Sequence, residues 1–131
     1  MIMEKQMTLN EYQAKAMQTC MRSCDNFSYM MLNLVGEVGE LASKVAKAIR
    51  KGTVEITSQY QSSSYLMPYM TEDEWLRFNQ ELMLEAGDIL WQLSGLCHTM
   101  GWNLEDVARE NLAKLQDRAS RGKIEGNGDF R

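Results

Sequence analysis

The fold is indicated by two stretches of the sequence, LVGEVGEL at residues 34–41 and ELMLEAGDILW at residues 81–91. Within each stretch and in the residues that follow it, apolar side chains recur every three or four residues, which places them on one face of an α-helix. Such faces must be buried against one another, so we predict an all-α protein. The two apolar faces consist of Leu34, Val38, Leu41, Val45 and Ile49, and of Leu82, Ala86, Ile89, Leu93 and Leu96.

Start and stop signals place these two helices among four. Thr8 and Glu11 have the spacing of a capping box, and Gly52 and Gly101 have the position of helix-terminating glycines. Four helices joined mainly by short turns predict a four-helix bundle, which we expect to be completed by oligomerisation. The predicted helices run from residue 9 to 21 or slightly beyond, from a cap at residues 25–28 to residue 50 or 51, from 71 to about 100, and from a cap at Asn103 to about 119.

Two segments lack helical periodicity. Residues 52–70 are rich in Ser, Gln and Tyr and contain Pro68, so they predict a long loop with at most a short strand or helical turn. Residues 120–131 are rich in glycine and basic side chains, and they predict either a frayed terminus or a lid that orders on an anionic ligand. The length of 131 residues fits a single domain spanning residues 1–131.

The composition excludes several classes of function. A formal net charge of −4 gives no general attraction to a nucleic-acid polymer or an anionic membrane. No apolar run approaches the roughly 20 residues that cross a bilayer, and residues 1–7 lack the apolar core of a signal peptide. Three cysteines without a paired motif indicate reduced thiols in the cytoplasm, and the spacing of Cys20 and Cys24 places them on one face of a helix as small core residues.

Two acidic pairs stand beside the apolar faces. Glu37 and Glu40 are three residues apart, as are Glu85 and Asp88, so each pair shares one helix face at about 100° per residue. Glu37 and Glu85 should border the core, whereas Glu40 and Asp88 should lie further out. Glu81 lies one turn before Glu85. The spacing alone leaves open a solvated acidic face or a Mg²⁺ site built from hard oxygen ligands.

Three glycines adjoin these acids inside the predicted helices. Gly36, Gly39 and Gly87 each cost about 1 kcal/mol relative to alanine in a helix. Their position therefore favours a close backbone approach at a functional site over a merely solvated face.

The two acidic stretches, followed by NLAKLQDRASRG at residues 111–122 and IEGNGDFR at residues 124–131, resemble the all-α NTP pyrophosphatases. That superfamily includes the MazG proteins, the dimeric dUTPases, the dCTP pyrophosphatases and phosphoribosyl-ATP pyrophosphohydrolase. The resemblance covers about residues 30–131. It implies Mg²⁺ or Mn²⁺ as the cofactor and water attack at the α-phosphorus, which releases a nucleoside monophosphate and pyrophosphate. The implied metal-binding and catalytic residues are Glu37, Glu40, Glu85 and Asp88.

The resemblance also implies that Asn111, Lys114 and Arg118 contact the triphosphate. Their spacing places all three on one face of the fourth helix, where the planar Arg fork and the compact Lys charge suit phosphate oxygens. Further phosphate contacts are expected from Arg121, Lys123 and Arg131 in the tail, and supporting roles around the site from Glu81, Lys44 and Lys47.

The leading interpretation is a Mg²⁺-dependent pyrophosphohydrolase of nucleoside triphosphates that acts in house-cleaning or nucleotide-pool control. It is expected to assemble as a homodimer or homotetramer. One alternative is a narrower relative acting on dUTP, dCTP or phosphoribosyl-ATP. A different alternative is a non-catalytic helical module that binds a partner through its methionine-rich surface.

Overall fold

Four α-helices account for most of the chain that the computed structural model describes, which comprises residues 4–60 and 63–125. One 3₁₀ turn and one two-stranded hairpin complete the secondary structure of these ranges. The predicted all-α class with four helices is therefore confirmed. The elements are α1 (Leu9–Met17), the 3₁₀ turn (Arg22–Cys24), α2 (Phe27–Arg50), β1 (Val54–Tyr60), β2 (Ser63–Pro68), α3 (Glu72–Thr99) and α4 (Leu104–Ser120).

The chain divides into two compact units, with boundaries between Phe27 and Ser28 and between Leu93 and Ser94. The first unit contains α1, the last residues of α3 and all of α4. The second unit contains α2 from its second residue, the hairpin and α3 up to Leu93. The two acidic pairs both belong to the second unit.

The helix boundaries follow the local signals in the sequence. Thr8 and Glu11 form the predicted capping box, each accepting a hydrogen bond at 3.1 Å from the other's backbone N–H. Thr71 and Glu74 form the same reciprocal pair at the start of α3, at 3.2 and 3.4 Å. After α3 the chain turns at Gly101, whose φ of +72° lies in the left-handed region that glycine adopts without strain.

The prediction for the end of the first helix is wrong. Helix α1 ends at Met17, four residues early, and the hydroxyl of Thr19 donates a 2.7 Å hydrogen bond to the carbonyl of Ala16. Such a side-chain bond competes with continuation of the helix. Cys20 consequently lies beyond α1 and Cys24 ends the 3₁₀ turn, so the two thiols do not share a helix face.

In the first unit, Gln13 joins three backbone segments. This side chain is buried, and its amide nitrogen donates to the carbonyls of Ser94 at 3.2 Å and Trp102 at 3.0 Å. Its amide oxygen accepts a hydrogen bond at 3.0 Å from the N–H of Leu104, the first residue of α4. Gln13 therefore anchors α1 to the end of α3 and the start of α4 through buried hydrogen bonds.

The start of α4 is capped from outside its own segment. Asn103 occupies the predicted N-cap position, but its side chain makes no capping hydrogen bond. Instead, the amide oxygen of Asn10 on α1 accepts a hydrogen bond at 3.2 Å from the N–H of Glu105. Two of the N–H groups that a helix leaves unpaired at its start are thus satisfied by α1.

In the second unit, the region predicted as a long loop is a β-hairpin, so that prediction is wrong. Strands β1 and β2 pair antiparallel, with Val54 opposite Pro68 and Ile56 opposite Leu66. Pro68 lies at the end of its strand, where a missing N–H is tolerated. The serine- and glutamine-rich composition hid the strands, because strand stability comes from cross-strand partners rather than from local propensity.

The apolar faces of α2 and α3 are only partly covered. Leu34, Leu41 and Val45 are half-buried, while Val38 and Ile49 remain exposed. None of the helices in the described ranges is both long and apolar enough to cross a membrane. Among the residues that the structure describes, the buried apolar side chains are Met30, Ala48, Val54, Cys97 and Leu104.

Candidate metal centre

Three of the four predicted carboxylates come together between α2 and α3. Glu37, Glu40 and Glu85 each offer one oxygen, and these oxygens all lie within 4.8 Å of one another. Glu37 and Glu85 are half-buried and Glu40 is exposed, as the helical positions predict. Asp88 is exposed and is not a member of this close group.

The oxygen atoms of this carboxylate group fit a divalent cation. Oε2 of Glu37 and Oε2 of Glu85 are buried, and neither has a hydrogen-bond partner within the described part of the chain. A buried acceptor without a partner costs free energy, more so when it is charged. Carboxylate oxygens are the ligands that Mg²⁺ and Mn²⁺ prefer, so a bound ion would satisfy both atoms.

The electrostatic surroundings of Glu37 also favour the binding of a cation. Burial raises the pKa of the Glu37 carboxyl, and the negative charges of Glu40 and Asp88 raise this pKa further. A hydrogen bond from the Asn33 amide acts in the opposite direction. Asp88 therefore lies close enough to influence Glu37 although it stands outside the close group.

Of the three residues expected to support the site, Lys44 contacts it. The Lys44 ammonium lies 3.3 Å from Oε1 of Glu85 and supplies a partial counter-charge. Glu81 is engaged by Arg77, with a nitrogen–oxygen distance of 3.9 Å, and Lys47 is exposed. Lys44 is thus the supporting candidate for which the structure gives a contact with the carboxylate group.

Sequence reasoning missed two amide side chains beside the carboxylates. Asn33 donates hydrogen bonds to Glu37 and to Gln92, at 3.3 and 2.9 Å. Their spacing held a usable signal, since Asn33 lies one turn before Glu37 and Gln92 lies one turn after Asp88.

The residues expected to contact phosphate belong to the first unit. Asn111 and Lys114 line a surface pocket of about 730 Å³. Trp102 and Val107 give this pocket an apolar wall, and its remaining lining residues are Gly101, Asp106, Glu110 and Asp117. Asn111 and Lys114 therefore share one concave surface, as their helical spacing predicts.

The other basic candidates occupy different surroundings. Arg118, which was expected to contact the triphosphate together with Asn111 and Lys114, is buried, with an exposed fraction of only 5%. Arg121 forms an ion pair with Asp117 at 2.7 Å, and Lys123 is exposed. Arg131 lies outside the described residues, as do residues 126–130 of the proposed lid.

The three helix glycines are not points where another part of the described chain approaches the helix backbone closely. A Cβ atom at Gly39 or Gly87 would meet no atom of the described chain within 4 Å. At Gly36 it would meet only Oδ1 of Asn33, at an ordinary contact distance of 3.6 Å. These glycines therefore leave open surface beside the acids.

Comparisons with known proteins show which family the sequence matches. The family model of the MazG nucleotide pyrophosphohydrolase domain matches residues 25–122, which include both acidic pairs and all of α4. The Gene 37 protein of Mycobacterium phage L5 is 34% identical over 109 residues, which cover 83% of this chain and 80% of that protein. No solved structure matches the chain.

Proposed function

We propose, since the chain belongs to the MazG nucleotide pyrophosphohydrolase domain family, that it is a Mg²⁺-dependent nucleoside triphosphate pyrophosphohydrolase. It would cleave a ribo- or deoxyribonucleoside triphosphate to the monophosphate and pyrophosphate, in house-cleaning or nucleotide-pool control in the cytoplasm. The observation that carries the proposal is the group of three carboxylates within 4.8 Å, two of which have buried oxygens without partners.

In this proposal Glu37, Glu40 and Glu85 hold the divalent ion, and Asp88 is the fourth acidic residue of the site. Mg²⁺ in such a site supplies charge neutralisation for phosphate oxygens and a lowered pKa for the attacking water. A carboxylate of the group that is not engaged by the ion accepts the water proton as general base. The half-buried positions of Glu37 and Glu85 limit their movement, which keeps the oxygens in place for catalysis.

The same proposal assigns the triphosphate contacts to Asn111 and Lys114. Both line one pocket, in which the amide can donate a hydrogen bond and the ammonium can neutralise a phosphate. Arg118 would reach a phosphate only after its surroundings rearrange, because it is buried. Further proposed contacts come from Arg121, Lys123 and Arg131.

We also propose that the active form is a homodimer or homotetramer. Apolar side chains on α2 and α3 are strongly exposed, among them Leu32 at 74% and Val35 at 69%. Apolar surface of this kind is typical of protein interfaces. Light scattering coupled to size-exclusion chromatography tests the assembly, and a monomer at micromolar concentration would contradict it.

The test of the activity is pyrophosphate release from a panel of ribo- and deoxyribonucleoside triphosphates, with Mg²⁺ and with EDTA. We expect Mg²⁺-dependent release that is lost in Glu40→Gln and Asp88→Asn. Asp73→Asn, which removes one charge from an exposed position in the first turn of α3, should retain it. Turnover of a single nucleotide would favour the narrower relatives, and no turnover of any nucleotide would favour the non-catalytic module.

The site of bond cleavage is tested with ¹⁸O-labelled water. Attack at the α-phosphorus places the label in the nucleoside monophosphate, whereas attack at the β-phosphorus places it in pyrophosphate. Phosphorus NMR distinguishes the two products, and label in pyrophosphate would reject the proposed reaction.

A further inference from the structure

In the second unit, the side chains of Met30, Gln92 and Asn33 form a hydrogen-bonded row that leads to Glu37. The Asn33 amide nitrogen donates to Oε1 of Glu37 at 3.3 Å and to the amide oxygen of Gln92 at 2.9 Å. The Gln92 amide nitrogen in turn donates to the sulfur of Met30 at 3.2 Å. We propose that Asn33 and Gln92 are positioning residues, which hold Glu37 in the orientation that binds the divalent ion.

The burial of this row makes it rigid. Met30 is completely buried and Gln92 is 2% exposed, so neither amide hydrogen bond of Gln92 can be exchanged readily for water. A buried glutamine is costly unless its amide is paired. Its retention beside Met30 therefore points to a role that an apolar residue of similar size would not fulfil.

The direction of the hydrogen bonds shows how the row acts. Gln92 presents its amide oxygen to Asn33, since its amide nitrogen is directed at Met30. Asn33 must then present its amide nitrogen to both neighbours, because only the nitrogen donates. A reversed Asn33 amide would place its oxygen against both the Glu37 carboxylate and the Gln92 oxygen. Gln92 thus selects the orientation in which Asn33 supports Glu37.

The two oxygens of Glu37 consequently have different roles. Oε1 accepts the hydrogen bond from Asn33, whereas Oε2 is buried without a partner in the described chain. Asn33 anchors one oxygen, so rotation of the carboxylate breaks a hydrogen bond, and the other oxygen remains for the ion. Residues that orient metal ligands in this way typically contribute about 10- to 100-fold to metal affinity.

This inference rests on the proposed function, because it assumes that Glu37 binds a divalent ion. Its test is the dissociation constant of Mn²⁺ alone, measured by titration calorimetry on the metal-free, full-length protein. The variants are Asn33→Ala, Gln92→Met and the double substitution, with Asn79→Ala as control for an exposed asparagine on α3. Thermal unfolding without metal reports the stability of each variant separately.

We expect Asn33→Ala to weaken Mn²⁺ binding about 10- to 100-fold and Gln92→Met to weaken it by a smaller factor. Gln92 acts through Asn33, so the double variant should bind no more weakly than Asn33→Ala alone. Asn79→Ala should bind like the wild type. Gln92→Met keeps the volume of the side chain, and therefore remains informative if Asn33→Ala does not fold.

The opposing results are equally specific. Unchanged Mn²⁺ affinity in variants that unfold at a lower temperature would show that the row only stabilises packing, and would overturn the inference. Multiplied losses in the double variant would show that Gln92 does not act through Asn33, and would also overturn it. An absence of Mn²⁺ binding by the wild type would instead reject the metal site itself, which distinguishes the two failures.

Discussion

Replacing Glu37 by glutamine is expected to stabilise the metal-free protein and to remove most of its stabilisation by Mg²⁺. The substitution keeps the shape of the side chain and the oxygen that accepts the Asn33 hydrogen bond. It removes one negative charge from a group whose oxygens lie within 4.8 Å of one another. The two effects have opposite signs, because the charge repels its neighbours without metal and attracts the ion when metal is present.

The magnitude follows from Coulomb's law. Two unit charges 4.8 Å apart repel by about 1 kcal/mol in water and by about 3.5 kcal/mol at an effective dielectric constant of 20. Glu37 and Glu85 are half-buried while Glu40 is exposed, so screening is substantial. We therefore expect Glu37→Gln to raise the free energy of unfolding by about 1–3 kcal/mol in EDTA at low salt.

With free Mg²⁺ at about 100 times the wild-type Kd, the wild type should gain about 2.7 kcal/mol of stability. A variant that binds a hundredfold more weakly should gain about 0.4 kcal/mol. Urea unfolding followed by circular dichroism measures both quantities. Glu110→Gln serves as the control, since it removes the same charge from an exposed helical position outside the carboxylate group.

The pH dependence gives a second check. The pKa of Glu37 is raised by burial above the usual 4.5, so the charged carboxylate destabilises the folded protein at pH values above that raised pKa. This cost disappears as the pH falls through the raised pKa towards 4.5, because the carboxylate becomes neutral. The gain in the free energy of unfolding that Glu37→Gln gives over the wild type therefore disappears over the same pH range. A variant that is less stable than the wild type in EDTA, or an advantage that grows on acidification, would refute the reasoning.

Three further predictions concern other residues. Lys44→Met removes the counter-charge of Glu85, so the metal-free protein should lose stability and Mg²⁺ should bind about fivefold more tightly by calorimetry; weaker binding would contradict this. Gly39→Ala should raise the free energy of urea unfolding by about 1 kcal/mol, since the added Cβ meets no described atom, and a decrease would show an unseen contact. Gln13→Leu removes the three hydrogen bonds of the buried Gln13 amide, so it should cost about 3 kcal/mol, and a cost below about 1 kcal/mol would contradict the anchoring role.

The parts of the fold that depend on nearby residues were predictable. The capping pairs at Thr8 and Thr71 and the turn at Gly101 use atoms within a few residues of one another, so the boundaries they set agree with the structure. The early end of α1 was not anticipated, because a hydroxyl such as that of Thr19 occurs both inside helices and at their ends. The hairpin depends on cross-strand pairing between β1 and β2, which composition does not reveal.

The candidate site divides in the same way. Helical periodicity alone predicted that Glu37 and Glu85 border the core while Glu40 lies further out, since azimuth on a helix depends only on spacing. The burial of Arg118 could not be predicted, because the same spacing suits a solvent-facing phosphate contact. The roles of Asn33 and Gln92 depend on a 2.9 Å contact across two helices that are far apart in sequence.

By itself the sequence determined four helices, an all-α class and two acidic pairs on the right faces, because propensity, capping and periodicity act over one or two turns. Only the tertiary structure decided that Glu85 joins Glu37 and Glu40 within 4.8 Å, with Lys44 beside it and two carboxylate oxygens buried. Those features arise from packing of α2 against α3, and packing is set by the shapes of all facing side chains together. The acidic pairs are thus a property of the sequence, and the close group that Glu37, Glu40 and Glu85 form is a property of the fold.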